Sequence, residues 1–439
     1  MKIILIYPPF CSPSTMPHSI SYLKSFISQS FNLKIKCLDL NAKFNKKRFK
    51  EFYSQKCSPE IFTEFDKVSR PIYSKNNKLI YQNNNPELFK EMLSLIKKES
   101  PDLVAFSLVY NSQCFYAQAL IQELKKLNIP TLIGGPAVNH HLYEMSTFLV
   151  DEHQFADYIE KNYNLKRSVP KEVIPDFSDF DKKDYLTEEI VIPLRTSHSC
   201  YYKQCAFCTH HQSQNYREIP LEQIKKTIIK SGYKNVFFFD DMISKKRLLE
   251  LATVLKPLKV KWWCQLRPSK ELLGSFKTLY DSGLRSVSWG VESGNQRVLD
   301  LMCKGTNITD ISKVLKESHE SGIKNLVFII IGFPTETKEE LFDSIKFVEN
   351  NSKYIDLIST SRFGLQRGSK VFMYPEKYGI TEIKENSRTI LEGQITYKVK
   401  SGMTPEDVKK FHHRYLRSFV KINKITKVYN YFKEQTLFL

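Results

Sequence analysis

No apolar run in this chain approaches the ~20 residues needed to cross a bilayer, so no membrane span is expected. The opening MKIILIYPPF is apolar, but Pro8 and Pro9 break it too soon for the core of a secretory leader. It reads as a buried strand of a cytoplasmic protein. Cysteine is sparse and odd in number: nine, at positions 11, 37, 57, 114, 200, 205, 208, 264 and 303. Without a leader, that count argues against a disulfide framework. All but the trio at 200–208 read as ordinary buried thiols. Acidic residues are outnumbered, 47 against 66 Lys and Arg, for a net charge of +19. Such a balance suits an anionic partner. The lysines are scattered among asparagines rather than gathered, however, and nucleic acid is not the expected ligand.

What is present is α/β alternation. A chain of 439 residues has room for two or three domains of about 150 residues. In residues 1–163, KIILIY, LKIKCLDL, DLVAFSLVY and TLIGG are strand candidates. Between them run helical stripes such as Ile20, Leu23, Ile27 and Leu120, Leu124, Leu127. This predicts a Rossmann-like, doubly wound parallel sheet. Residues 42–98 are polar and less regular, with a helix expected at 86–98. Residues 164–189, with Pro170, Pro175 and DFSDFDKKD, read as a linker.

Across 190–365 the alternation restarts, with EIVIPLRTS, NVFFFDD, VKWWCQLRP, SVSWGVESG, NLVFIIIGFP and IDLISTSRFGL as six strands. Six units fall short of a closed eight-unit barrel. A partial (β/α)6 barrel is expected, with its site at the C-terminal strand ends. Residues 366–439 form a helical C-terminal region. Its basic helix starts at the capping set Thr404, Pro405 and Asp407 and carries the stripe Phe411, Tyr415, Phe419, Ile422.

The first strand of that series runs into TSHSCYYKQCAFCTHH, residues 196–211. Cys200, Cys205 and Cys208 could bind zinc with His198, His210 or His211. Zinc sites of that type usually sit in small fingers, whereas this loop opens a strand–helix series. An iron–sulfur cluster is the other reading. Three thiolates on a four-iron cluster leave one iron open to an outside ligand, and Phe207 offers a flat apolar wall to an adenine ring. Tyr201, Tyr202 and Tyr216 nearby read as packing residues.

With these motifs the chain resembles the radical S-adenosylmethionine (SAM) enzymes, and within them the subgroup with an N-terminal cobalamin-binding domain. FGLQRGSKVFMYPEKYGI, residues 363–380, resembles a post-barrel segment of that subgroup. The resemblance implies a [4Fe–4S] cluster on Cys200, Cys205 and Cys208, although four residues separate the first two cysteines where the family usually has three. It implies SAM contacts at Phe207, at Asp240 and Asp241 toward the methionine amino group, at Arg267 toward a carboxylate, at Glu292 near the ribose and at Gly332 near adenine. It also implies a small-molecule or peptide substrate and an external electron donor such as flavodoxin or ferredoxin.

No D-x-H-x-x-G motif marks a lower axial histidine; DEHQFA at 151–156 lies past the place such a loop would occupy. Ser107, Gly134 and Gly135 match positions lining the nucleotide tail of cobalamin in the subgroup. No cysteine follows Cys303 and no second trio precedes Cys200. An auxiliary-cluster domain and a methylthiotransferase acting on tRNA are therefore not expected. The expected activity is cobalamin-dependent methyl transfer to an unactivated carbon. A cobalamin-free radical oxidation, rearrangement or cross-link of a peptide is the second reading, and a zinc-stabilised nucleic-acid or peptide binder the third.

Overall fold

Runs of Ile, Leu, Val and Phe buried on both faces build two parallel sheets, as expected where helices cover both sides. The computed structural model describes residues 1–439 except 213, 214 and 389, and except the side chains of 413 and 415–420 within helix Pro405–Ile422. The stripe positions Tyr415 and Phe419 thus lie outside the described side chains. The chain divides into two compact units. One comprises Met1–Pro193, Lys226–Tyr233 and Ser387–Gly393; the other comprises Leu194–Lys225, Lys234–Asn386 and Gln394–Leu439. Among the described residues, no helix is long and apolar enough to cross a membrane.

In the first unit, β1 (Lys2–Tyr7), β2 (Lys34–Asp39), β3 (Leu103–Ser107), β4 (Thr131–Gly134) and β5 (Thr147–Leu149) form a sheet of order β2-β1-β3-β4-β5, parallel throughout. The order reverses between β1 and β3, which is where doubly wound sheets place ligands. Residues 42–98 are more regular than expected. A 23-residue helix, Pro59–Tyr81, continues through Pro71, and Phe89–Lys98 follows it.

Residues 164–189 are not a free linker. Ser168 N–H donates to the Ser30 carbonyl (2.8 Å) and Asp176 N–H to that of Ser21 (3.0 Å). The Ser25 hydroxyl donates to the Ile174 carbonyl (2.6 Å). Asp179 accepts from Cys37 N–H (2.9 Å) and pairs with Lys24 (2.9 Å). Val173 joins the core of the unit. The segment is a strap along helix His18–Phe31, its prolines compatible with extended chain, with Asp176 and Asp179 paired with Lys24 and Lys36 and Asp184 with Lys43 and Lys46.

The second sheet contains β6 (Val191–Leu194), β7 (Asn235–Phe238), β8 (Lys261–Leu266), β9 (Leu284–Glu292), β10 (Lys324–Ile331) and β11 (Leu357–Arg362). Each strand lies beside its predecessor in the chain, the order of the expected partial barrel. Side chains alternate between its faces. The outward Trp262 donates its indole N–H to the Ser282 carbonyl and Trp289 donates to Asn325 Oδ1 (2.8 Å). The inward face carries Trp263 opposite Ser286, Gln265 opposite Ser288, and Gly290 opposite Phe328.

The C-terminal region is not wholly helical, because β12 (Ile380–Asn386) and β13 (Gln394–Val399) form an antiparallel hairpin. Beyond it, helix Pro405–Ile422 packs on β11. The chain then passes the start of β11, where Lys424 N–H donates to the Asp356 carbonyl (2.9 Å). A last helical turn, Lys433–Phe438, ends against β8 and β9. There Thr436 donates to the Ser286 hydroxyl (3.0 Å), and Glu434, Gln435, Thr436 and Leu437 are buried. This segment floors the inner face at the N-terminal ends of the strands.

Candidate functional site

The cysteine loop leaves β6 and is fixed at both ends. Its entry, Ser197–His198, pairs antiparallel with its exit, Arg217–Glu218. The carboxylate of Asp240, just past β7, accepts from Thr196 N–H and hydroxyl and from Ser197 N–H and hydroxyl, at 2.7–2.9 Å. Asp240 is 5% exposed, so the acceptor capacity expected to meet an ammonium is already filled from within the loop. Burial pushes its carboxyl up, against those four donors. The buried Arg247 guanidinium donates to the carbonyls of Thr196 (3.2 Å) and Ile219, tying entry to exit.

Inside the loop, Ala206 is fully buried between Cys205 and Phe207; its N–H donates to the Met302 carbonyl (2.8 Å) and its carbonyl accepts from Val371 N–H (3.1 Å). The three cysteines are free and half-buried. They lie close enough to interact electrostatically: Cys200 bears on Cys205, and both bear on Cys208. Burial raises the Cys205 thiol, and it pushes that of Cys208 up to about 11. Both are neutral thiols until a metal takes the proton's place.

Among the described residues no three His, Cys, Asp or Glu side chains converge as the ligands of one ion would. Thiolates that each ligate a different iron of a cluster do not need that convergence. Two of the three histidines are engaged elsewhere. His210 Nδ1 lies 2.7 Å from Asp241 Oδ1, a hydrogen bond that raises its pKa, and His198 Nε2 lies 3.5 Å from Arg217. Asp241, expected to face an ammonium, is thus joined to His210.

Around Cys205 the structure gathers a charged set. Lys304 Nζ is 2.9 Å from Glu292 Oε1, both side chains buried, and 6.0 Å from the Phe207 ring centroid. Burial pulls the Lys304 ammonium down, but Glu292 and Cys205 hold it above its usual value. Arg267 stacks 3.8 Å over the Tyr202 ring and donates from Nη1 to the Lys304 carbonyl (3.1 Å), while its buried Nε has no partner. The Tyr202 hydroxyl donates to the Cys303 carbonyl (3.0 Å).

Two backbone features hold this set. Glu292 follows a bulge with φ 69°, a strained conformation for a residue with a side chain. A Cβ on Gly290 would lie 2.7 Å from Glu292 Oε1 and 2.8 Å from Lys304 Nζ, so a side chain there would displace the ends of the pair. Phe207, Arg267 and Glu292 therefore come together as the strand-end pattern implies. Lys304 and Tyr202 complete the set, although neither was expected there.

Gly332 falls outside it. A Cβ there would meet Val408 Cγ2 at 2.3 Å, so its freedom serves packing of helix Pro405–Ile422 rather than an adenine. Its N–H donates to Glu336 Oε2 (2.5 Å), and Glu336 Oε1 is buried without a partner. Burial pushes the Glu336 carboxyl up to about 7 from 4.5. A carboxyl that binds its proton more tightly when folded favours the fold at low pH. Its contribution is complete below about 4.5 and is lost as pH rises through about 7, a fall of about 3 kcal/mol. Glu336→Gln, which keeps an oxygen for Gly332, is expected to flatten that part of the stability curve. Urea midpoints of both proteins at about pH 5 and 7.5 check it; parallel curves would contradict it.

In the first unit Ser107 ends β3 with its hydroxyl 2.7 Å from that of Ser19, beside the strand-order reversal. Gly134 and Gly135 have packing duties. A Cβ on Gly135, at φ 111°, would strike the Leu108 carbonyl oxygen at 2.3 Å, and one on Gly134 would lie 3.2 Å from that of Leu149. DEHQFA opens helix Glu152–Tyr163, with Asp151 accepting from Gln154 N–H (2.9 Å) as its cap.

Residues 194–348 match the radical SAM superfamily. An uncharacterized methyltransferase of Pyrococcus horikoshii is 24% identical over 310 residues, covering 60% of this chain and 67% of that one. A ribosomal protein uS12 methylthiotransferase RimO of Thermotoga is 23% identical, covering 56% of this chain and 61% of its own. Among solved structures, the radical SAM methyltransferase TsrM of Kitasatospora setae, with cobalamin and a [4Fe–4S] cluster bound, has TM-score 0.65 at 13% identity over 96% of this chain and 88% of that one. The cobalamin-dependent radical enzyme OxsB, with aqua-cobalamin, has TM-score 0.63 at 14% identity over 99% of this chain and 71% of that one. At these identities the structural likenesses establish the shared fold.

Proposed function

We propose that this chain, a radical SAM enzyme by its domain at 194–348, transfers a methyl group to an unactivated carbon of a natural-product, peptide or lipid substrate, using cobalamin. The observation that carries the reading is the set of three mutually interacting thiols on a loop pinned at both ends, beside the buried charges of Arg267, Lys304 and Glu292. When bound, the cluster and SAM would supply radical chemistry and cobalamin would supply a methyl carrier.

The residues of the chain do the holding. Cys200, Cys205 and Cys208 would hold the cluster. Arg267, with an unpartnered Nε, and Lys304 offer positive charge to a carboxylate, and Glu292 offers negative charge to an ammonium or ribose hydroxyl. The half-buried Phe207 offers an apolar face beside them. Asp240 and Arg247 keep the loop in register. The cobalamin part is supported by fold likeness over nearly the whole chain and by Ser107 at the sheet reversal. It draws nothing from Gly134 and Gly135, whose conformations packing explains. That observation favours, as second reading, a radical enzyme without cobalamin. A net charge of +19 suits an acidic electron donor such as flavodoxin or ferredoxin.

Anaerobic purification and reconstitution with iron and sulfide, with and without hydroxocobalamin, tests both readings. Charge-transfer absorbance, retained corrinoid and 5′-deoxyadenosine production are expected. A cluster without retained corrinoid leaves the second reading, and zinc without charge-transfer bands removes both.

A further inference from the structure

We infer that the inner face of the second unit's sheet, floored by the chain's own C-terminal segment, binds a planar substrate bearing one carboxylate, and that Lys433 holds that carboxylate. This deepens the functional reading above, on which it rests for the chemistry that follows binding.

The inner face is aromatic and incompletely filled. Phe237 and Trp263 meet edge to face with centroids 4.8 Å apart, and Phe328 faces the same interior from β10. Phe237, Gln265 and Phe328 are only partly buried, whereas the outward Val236, Cys264 and Val327 are 0% exposed. The helix side is therefore fully packed, while on the inner face Trp263, Ser286 and Ser288 are buried but Phe237, Gln265 and Phe328 stay partly exposed, and flat walls suit a flat ligand.

The same face holds donors that lack acceptors. Trp263 Nε1 and Ser288 Oγ are buried without partners, in residues 3% and 0% exposed. They sit on neighbouring strands, with Trp263 opposite Ser286 and Ser288 opposite Gln265, the next inward pair along. The C-terminal segment adds a cation. Thr436 is bonded to the Ser286 hydroxyl and, one turn earlier, Lys433 places Nζ 4.5 Å from the Phe328 ring centroid. Burial lowers the Lys433 ammonium, with only its neighbour Glu434 opposing, and among the described residues Lys433 makes no ion pair. A desolvated cation beside two unsatisfied donors is costly as it stands. One acceptor-rich anion relieves all three. A carboxylate offers two acceptor oxygens to the ammonium and the donors, whereas the buried Glu434 next to Lys433 disfavours a dianionic phosphate.

Calorimetry on the full chain, before and after cluster reconstitution, tests this with indole-3-acetate and its neutral counterpart indole-3-acetamide as probes. The acetate is expected to bind at least tenfold tighter than the acetamide. Lys433→Met should abolish that preference and Lys433→Arg retain most of it. Ser288→Ala, on the sheet rather than the tail, should weaken the acetate severalfold whether or not the tail variant folds. Equal binding of the two probes, binding of neither, a preference surviving in folded Lys433→Met, or an unchanged Ser288→Ala would each overturn the proposal. Binding to the metal-free chain is read without SAM, so failure here is distinguishable from failure of the radical reading, which 5′-deoxyadenosine production reports.

Discussion

Cys205→Ala is expected to lose the iron–sulfur absorbance and, with it, 5′-deoxyadenosine formation. Loss of an outer partner of a metal site typically costs about 10–100-fold; loss of a ligand should exceed that. The substitution is clean because the loop does not depend on the sulfur for its shape. Ala206 next door is fully buried, and its bonds to Met302 and Val371 hold the backbone whatever occupies 205. Asp240 and Arg247 fix the loop ends independently. Thermal stability should therefore change little while iron and sulfide content collapses. Cys57→Ser is the matching control, since Cys57 is a half-buried thiol in the first unit that burial pushes up to about 11. Iron and sulfide assays with chromatographic detection of 5′-deoxyadenosine decide the matter. A Cys205→Ala protein that keeps its cluster, or a Cys57→Ser protein that loses it, would sink the assignment.

Apart from β5, which is only three residues long, the strands of both sheets were legible because they are short runs rich in β-branched and aromatic residues, most of them closed by Gly, Pro or a charge. Their terminal residues were legible for the same reason, but position at a strand end does not reveal what a side chain meets there. Asp240 turns to Thr196 and Ser197, 44 and 43 residues earlier, and the space above Gly332 is taken by Val408 from a helix that the strand pattern does not mention. Lys304 was passed over because it sits in a helix-to-helix loop. Only folding brings that loop under Cys205. The strap at 164–189 looked like a linker because its prolines and acids carry no periodicity, and its order comes from bonds to helix His18–Phe31. In the tail, Gln394–Val399 does alternate, with Ile395, Tyr397 and Val399 half-buried between exposed Gln394, Thr396 and Lys398, but its partner strand Ile380–Asn386 is largely charged and the hairpin was not expected.

Lys304→Met is expected to cost about 3–5 kcal/mol, because it leaves the Glu292 carboxylate buried without its counter-ion. Both side chains are nearly inaccessible, at 9% and 11% exposure, so water cannot substitute. Glu292 also cannot swing away easily, since its backbone is held at φ 69° by the bulge. Adding Glu292→Gln removes the stranded charge, and the double variant should recover most of the lost stability, as buried pairs replaced together often do. If the pair exists only to hold the fold, recovered stability should bring recovered SAM binding. If, as proposed, its two charges match the zwitterionic end of SAM, the double variant should fold well yet bind SAM at least about tenfold more weakly, the loss of roughly one charge-assisted hydrogen bond. Urea midpoints on the two single variants and the double, with calorimetric SAM titration of reconstituted protein, separate the cases. A stable double variant with unchanged SAM affinity would reduce Lys304 and Glu292 to a structural pair and leave Arg267, with its unpartnered Nε, as the remaining charged candidate beside the cysteine loop.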